Sequence, residues 1–416
     1  MDRPSPRTYG YAARIAFVVE LAEHLHAYGT TAQRLEAAVM EVSEQLELEC
    51  EPWVNPTGMI LSFSDPHRPP GESDTTRVIR MAPGDTHLYK LCEVDRITEE
   101  VVAGRIDLAE GHAALRALDA FKPGWRAKTV HVLAYGMVAA GMAGLWRLPW
   151  LDIGTAAAIG LLIGQLDLVT RRSARMRESS DALAGMIAGL VAIGVAGYVA
   201  PLNLNTVIIA SLIVMLPGMA LTNAINELTS QHLVSGTARL SGALTTVMKL
   251  TVGTIIALTV ARLAGVEPQV RALRPQPDWV EWGALLLTAL SFAVLFRAGR
   301  RDYPLVMLAA VSGYLVSRYV GLALGASIGL FASALLVTAA GNGYARFANR
   351  PGAIIRVPGI IMLVPGSASL RGLMTLFQQQ DMAVGQQAML GVLNIVLAVV
   401  AGLMFGSLLL PARKSL

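Results

Sequence analysis

Two heptapeptides, Val-Met-Leu-Pro-Gly-Met-Ala at residues 214–220 and Met-Leu-Val-Pro-Gly-Ser-Ala at residues 362–368, place a Pro-Gly pair inside long apolar runs. Proline removes a backbone donor and glycine permits strained angles, so each pair predicts a broken membrane helix. The second copy lies 148 residues and five predicted spans after the first. Because five is odd, the copies cross in opposite senses, which predicts an inverted repeat of the kind found in secondary transporters.

Apolar runs of the length that a bilayer crossing requires, about 20 residues, fill the chain after residue 128. Ten are predicted, at residues 129–146, 150–169, 182–200, 206–223, 239–263, 279–297, 304–319, 321–342, 354–371 and 386–410. The composition agrees, because only 15% of the residues are charged and 54% are hydrophobic. The fold class is therefore a mainly α, polytopic membrane protein, with five-helix halves at about 128–264 and 279–410.

The first 127 residues differ in character from the rest. They hold 13 Lys/Arg and 20 Asp/Glu, a net charge of −7, whereas residues 128–416 have a net charge of +11. This division predicts a small soluble α+β domain at 1–127, fused to a transmembrane domain at 128–416. Hydrophobic periodicity predicts helices and strands in the first domain. The helices lie at about 9–28, 31–46, 86–103 and 107–120, and the strands at 48–54, 58–64 and 75–82. Cys50 and Cys92 are predicted to be free thiols.

The basic residues between the spans predict the orientation of the chain. With the acidic N-terminal domain in the cytoplasm, 13 Lys/Arg face the cytoplasm and 6 face the other side. Positively charged loops favour the cytoplasmic side of a membrane. We therefore expect a multi-pass protein of the cytoplasmic membrane with both termini inside.

The Pro-Gly breaks also predict a substrate site. Unpaired backbone groups at membrane depth are tolerated only beside a cavity or protein partners, and the positive end of a half-helix suits a carboxylate. The predicted substrate-binding residues are Pro217, Gly218, Thr222, Asn223, Pro365, Gly366, Ser367 and Arg371. The carboxyl groups of Glu227 and Asp167 are predicted to couple transport to protons. The alternatives are a packing kink at each Pro-Gly pair and an interfacial position for Asp167 and for Arg371.

Common enzyme motifs are missing from the sequence. It contains no Walker motif, dinucleotide fingerprint or G-x-S-x-G sequence, so we expect neither ATP-driven transport by this chain nor catalytic residues, a cofactor or a metal. The expected partners are a small-molecule substrate, protons and the lipid bilayer, with no nucleic acid. Formation of a homo-oligomer is left open.

Several stretches together resemble a known family. The segments 26–36, 76–80 and 84–91 resemble the N-terminal domain of the threonine/serine exporter (ThrE) family, and the two Pro-Gly runs resemble its membrane halves. The resemblance implies a non-enzymatic antiporter that exports threonine and serine with the proton-motive force. Related members are implied to export dicarboxylates such as succinate, which is one alternative. A membrane-anchored enzyme with its site in residues 1–127 is another.

Overall fold

The architecture is mainly helical, with one small sheet near the N-terminus. The computed structural model describes residues 9–67, 69, 74–120, 124–171, 173–271, 275–363, 366, 369–372, 374 and 382–411.

The N-terminal unit, defined as residues 9–120, is α+β. Its helices are α1 (Tyr11–Ala27), α2 (Ala32–Gln45), α3 (Leu88–Val102) and α4 (Leu108–Ala120). Its strands are β1 (Glu49–Asn55), β2 (Gly58–Ser64) and β3 (Thr75–Arg80), which form an antiparallel sheet in the order β1-β2-β3. The predicted helices and strands are confirmed, and Cys50 and Cys92 are free and buried.

This unit has a hydrophobic core of its own. Phe17 and Leu21 of α1, Leu35 of α2, and Leu61 and Phe63 of β2 are 0–1% exposed and belong to one cluster. The core can form because the apolar residues of each helix lie on one stripe and those of β2 face the helices. The core therefore fixes the loops that leave this unit toward the membrane helices.

The remaining helices form the apolar unit, defined as residues 124–411. They are α5 (Trp125–Leu145), α6 (Trp150–Thr170), α7 (Ala174–Tyr198), α8 (Leu204–Ser211), α9 (Gly218–Thr229), α10 (Leu233–Leu263), α11 (Asp278–Leu295), α12 (Tyr303–Leu324), α13 (Ala326–Ala348), α14 (Ala353–Ile361) and α15 (Met382–Leu409). Within the described residues, seven helices are long and apolar enough to cross a membrane: α6, α7, α10, α11, α12, α13 and α15. The predicted number of ten spans is not confirmed.

The two predicted spans that contain Pro-Gly pairs do not form continuous helices. In the first, α8 ends at Ser211 and α9 begins at Gly218, with Pro217 directly before it. In the second, α14 ends at Ile361, and Pro365 lies outside the described residues. Neither α8, α9 nor α14 is long enough to cross a bilayer alone, since a crossing needs about 20 residues.

The N-terminal unit is joined to the apolar unit by backbone hydrogen bonds at the start of α3. The amides of Leu88 and Tyr89 donate to the carbonyl oxygens of Phe296 and Arg297, at 2.9 and 3.1 Å. The first amides of one helix thus bond to the last carbonyls after α11, groups that have no partner within their own helices. This contact fixes the loop before α3 over the apolar unit.

Candidate functional site

A cavity of about 730 Å³ lies between the two units. Gly29 and the loop Gly84–Thr86 of the N-terminal unit form one end of its lining. The apolar unit supplies the rest of the lining, which includes the aromatic side chains of Tyr135, Trp146 and Phe292. Cavities of roughly 300–1,000 Å³ with an apolar lining and a few polar groups are typical small-molecule sites.

Both Pro-Gly regions contribute to this cavity. Pro217 and Gly218 line it, as do Met219 and Ala220 in the first turn of α9. Gly366 also lines it, and a Cβ added to Gly366 would lie 3.0 Å from the Cβ of Leu216 and 3.5 Å from Gly218. The two regions, distant in sequence, are therefore in contact. The Gly218 amide donates to the Leu216 carbonyl oxygen at 2.8 Å. The next two amides of α9, those of Met219 and Ala220, precede the first intrahelical bond, from Leu221 to Pro217, so they can donate at the cavity wall.

The other predicted substrate-binding residues are divided between the cavity and its surroundings. Asn223 lines the cavity. Thr222 is 1% exposed and lies off the cavity wall, and its hydroxyl oxygen has no hydrogen-bond partner in the described structure. The guanidinium of Arg371 lies 5.9 Å from the ring centre of Trp146, a lining residue. Pro365 and Ser367 lie outside the described residues.

Asp167 lies on the cavity wall, near the end of α6. Its carboxylate contacts His131 Nε2 of α5 at 2.8 Å and accepts a hydrogen bond from Arg171 Nε at 3.0 Å. The side chain is 19% exposed. A carboxylate beside an imidazole, both lining the same cavity, can exchange protons with the solvent inside it.

Glu227 lies away from the cavity wall and is 0% exposed. Its carboxylate accepts hydrogen bonds from Arg239 Nε and Nη2, both at 3.1 Å, and from Ser235 Oγ at 2.8 Å. It also accepts a bond from the backbone amide of Ala32 at 3.1 Å. Ala32 is the first residue of α2, and the preceding Thr31 makes no side-chain cap. Glu227 therefore caps a helix of the N-terminal unit.

A second contact accompanies this one. His232 Nε2 lies 2.9 Å from Glu36 Oε2, and Glu36 Oε1 accepts a bond from the Val54 amide at 2.8 Å. The pair joins the loop before α10 to both α2 and β1. The N-terminal unit is thus bonded to the apolar unit at α2 as well as at α3.

Five charged residues of the cavity were not predicted as site residues: Asp85, Arg171, Asp181, Arg239 and Arg297. In the sequence, Asp85 is part of a turn before α3, and Arg171, Arg239 and Arg297 are loop charges that indicate orientation. Only His131, a titratable group inside a predicted span, carries a signal that sequence reasoning could have used. The cavity brings these five residues and His131 together through tertiary structure alone.

The environment shifts the pKa of two groups at this end of the cavity. Desolvation lowers the pKa of the Arg297 guanidinium, and the nearby Arg171 lowers it further, whereas Asp85 acts in the opposite direction. Desolvation also lowers the pKa of His87 to about 4, with Arg297 and Lys90 adding to the effect. Neutral His87 accepts a bond from the Lys90 amide at 3.3 Å and so caps α3.

The chain is similar to membrane proteins of several fungi. The chain is 24% identical to Pheromone-regulated membrane protein 10 of Eremothecium gossypii over 381 residues, which cover 88% of this chain and 50% of that protein. It is 25% identical to the protein of the same name from Zygosaccharomyces rouxii, covering 88% of this chain and 38% of that protein. It is 23% identical to the Saccharomyces cerevisiae protein of that name, covering 88% of this chain and 48% of that protein. The chain thus spans half the length of these relatives or less.

No solved structure matches the chain significantly. Two family models do match, and together they cover most of its length. The first, ThrE, describes threonine/serine exporters and matches residues 16–261. The second, ThrE_2, has the description "Threonine/Serine exporter, ThrE" and matches residues 283–409. The chain belongs to the threonine/serine exporter family.

Proposed function

We propose that this protein is a secondary exporter of threonine and serine in the cytoplasmic membrane, with both termini in the cytoplasm. The observation that carries the proposal is the cavity bounded by Pro217, Gly218 and Gly366. Its volume of about 730 Å³ lies within the range of small-molecule sites. Membership in the exporter family supports the same function.

The proposed architecture is ten passes in two inverted five-helix halves, following a domain that ends near residue 127. In this arrangement α8 and α9 together form the fourth pass, and α14 begins the ninth. The contact of Gly366 with Gly218 and Leu216 supports it, because inverted repeats bring their discontinuous helices together at the substrate site. The separate core of the N-terminal unit supports the domain division.

In the proposed binding site, the amides of Met219 and Ala220 in the first turn of α9 and the Asn223 side chain provide hydrogen bonds to the substrate. Pro217 and Gly218 keep the chain out of a helical path, so that these amides face the cavity. Gly366 permits the close approach of the second Pro-Gly region. Pro365, Ser367 and Thr222 belong to the same predicted site, and Arg371 is assigned to the rim beside Trp146.

Asp167 is the better candidate for coupling export to the proton-motive force, by antiport. It lines the cavity beside His131, so protons can reach it as the cavity opens. Glu227 is the second candidate. Its four hydrogen bonds and full burial favour a role in holding the N-terminal unit, since protonation would leave the Arg239 charge without its partner.

The charges of the cavity favour an amino acid over a dicarboxylate as the substrate. Arg171 and Arg239 are each paired with a carboxylate of the protein, Asp167 and Glu227. Among the described residues that line the cavity, Arg297 is then the arginine that is available to substrate anions. A second carboxylate on the substrate would therefore enter the cavity without a cationic partner, which is costly away from bulk water.

Export from proteoliposomes tests the proposal. The purified protein is reconstituted, loaded with radiolabelled threonine and given a more acidic outside buffer. We expect threonine efflux above that of protein-free vesicles, loss of the gradient's effect with an uncoupler, and weaker efflux of succinate. Asn223→Leu should reduce efflux, and Asn226→Leu on the same helix, off the cavity wall, serves as the matched control. Threonine efflux equal to that of protein-free vesicles would contradict the proposed function.

A further inference from the structure

Among the described residues, seven aspartate, histidine and arginine side chains line the cavity. They are Asp85, His131, Asp167, Arg171, Asp181, Arg239 and Arg297. Five of them are paired within the protein. Asp167 contacts both His131 and Arg171, Arg239 binds Glu227, and Asp181 lies 3.9 Å from Lys249 Nζ. The cavity's internal charges are thus largely compensated.

Asp85 and Arg297 are the two exceptions. Within the described part of the chain, neither makes an ion pair or a side-chain hydrogen bond, although both are accessible to solvent. One carries a negative charge and the other a positive charge. An α-amino acid carries the complementary two charges, an ammonium and a carboxylate, both attached to its α-carbon.

The position of Asp85 is set by close backbone contacts. The preceding Gly84 packs against α1, since a Cβ there would lie 2.0 Å from the His26 carbonyl oxygen and 2.6 Å from that of Ala27. A Cβ added to Gly29, whose φ is +84°, would lie 3.0 Å from the Thr86 backbone nitrogen. A conformation with positive φ is readily available only to glycine. The loop that carries Asp85 is therefore fixed to α1 on both sides.

Arg297 is held at the same end of the cavity by the junction at α3. The Tyr89 amide donates to the Arg297 carbonyl oxygen at 3.1 Å, and the Leu88 amide donates to Phe296 at 2.9 Å. Asp85 precedes this junction by three residues, so both charges approach the cavity from one anchored point. Each also acts electrostatically on the other across it.

We propose that Asp85 of the N-terminal unit binds the ammonium group of the substrate while Arg297 binds its carboxylate. The inference rests on the proposed function and names the two residues that give the site its specificity for amino acids. It gives the N-terminal unit a direct part in the substrate site. A zwitterion satisfies both charges, whereas a hydroxy acid without the amine leaves Asp85 unpaired beside a second anion.

Binding measurements with matched ligands test this assignment. Calorimetry measures the affinity of the detergent-purified full chain for three ligands. These are L-threonine, 3-hydroxybutyrate, which lacks the amine, and threoninol, which lacks the carboxylate.

We expect Asp85→Asn to weaken threonine binding roughly 10- to 100-fold, as for a lost charge-assisted hydrogen bond, with no loss of affinity for 3-hydroxybutyrate. Arg297→Gln should weaken threonine binding similarly and leave threoninol unaffected. Asp85→Glu should retain the preference for the amine, and Asp74→Asn, outside the cavity, is the control.

The outcomes separate the two proposals. If the unchanged protein binds no threonine, the proposed function fails. If it binds threonine and Asp85→Asn weakens both ligands equally, Asp85 has only a structural role and the inference is overturned. An unaltered ratio of threonine to 3-hydroxybutyrate affinity in Asp85→Asn overturns it as well. If Asp85→Asn does not fold, the threoninol comparison in Arg297→Gln decides independently, because equal losses for threonine and threoninol would contradict the assignment.

Discussion

Glu227→Gln should loosen the contact between the N-terminal unit and the apolar unit. The carboxylate accepts four hydrogen bonds, two of them from Arg239. A glutamine keeps one acceptor oxygen and turns an NH₂ group toward donors that need an acceptor. About two of the four bonds are therefore lost, and the Arg239 charge loses its compensating anion.

The size of the effect follows from the burial of the pair. Removal of one partner from a buried ion pair costs about 3–5 kcal/mol. The Arg239 side chain is 20% exposed and can be partly rehydrated, so the lower end applies, about 3 kcal/mol. If the lost energy governs local opening at α2, the amides near Ala32 should exchange hydrogen about 100-fold faster, since about 1.4 kcal/mol is a factor of ten.

Hydrogen–deuterium exchange of the purified protein, followed by mass spectrometry, measures this directly on peptides that include residues 30–36. Glu178→Gln, which alters an exposed carboxylate on α7, should leave those peptides unchanged. In Glu227→Gln/Arg239→Gln the uncompensated charge is removed, so part of the protection should return. Equal exchange at the start of α2 in Glu227→Gln and the unchanged protein would refute the assignment of Glu227 as an anchor.

Three further predictions concern coupling, packing and pH. Asp167→Asn should abolish the effect of a proton gradient on threonine efflux, while exchange of threonine for threonine continues. The control Glu178→Gln should keep the gradient effect. If Asp167→Asn also keeps it, the carboxyl of Asp167 is excluded as the proton carrier. Gly366→Ala should lower the stability by about 1 kcal/mol, because its Cβ would lie 3.0 Å from Leu216. Gly391→Ala, with open space around residue 391, should have little effect. Equal melting temperatures for Gly366→Ala and the unchanged protein would contradict the contact. The pKa of His87 is about 4 in the folded protein and higher in the unfolded chain, so the stabilisation of the folded state by neutral His87 is present above about pH 6.5 and is lost as pH falls toward 4. His87→Gln should therefore flatten the dependence of the melting temperature on pH over that window. An unchanged pH profile would count against the His87 cap on α3.

The fold of the N-terminal unit could be predicted because its signals are local. The helical period ends at Gly29, and short β-compatible runs begin near Glu49, so the elements are readable from neighbouring residues. The break before α9 was readable for the same reason, since proline at residue 217 acts on its own helix.

The composition of the cavity could not be predicted in this way. Asp85 and Arg297 come together only because α3 bonds to the end of α11, and nothing local in either segment indicates that contact. The same holds for Glu227 and Ala32. Glu227 had the sequence signal of a functional carboxyl in a membrane segment, but its cap on α2 depends on the docking of a separate unit.

Protection of a cysteine in the cavity by the substrate tests the central claim most directly. Cys50 and Cys92 are buried and can be replaced by alanine to give a background without thiols. In that background, Asn223→Cys is modified with a thiosulfonate reagent in the presence and absence of L-threonine, and Thr229→Cys, at the exposed end of α9, is the control. We predict that saturating threonine slows modification at position 223 several-fold and leaves position 229 unaffected. Modification of position 223 at the same rate with and without threonine, in a protein that transports threonine, would contradict the claim that the substrate occupies this cavity.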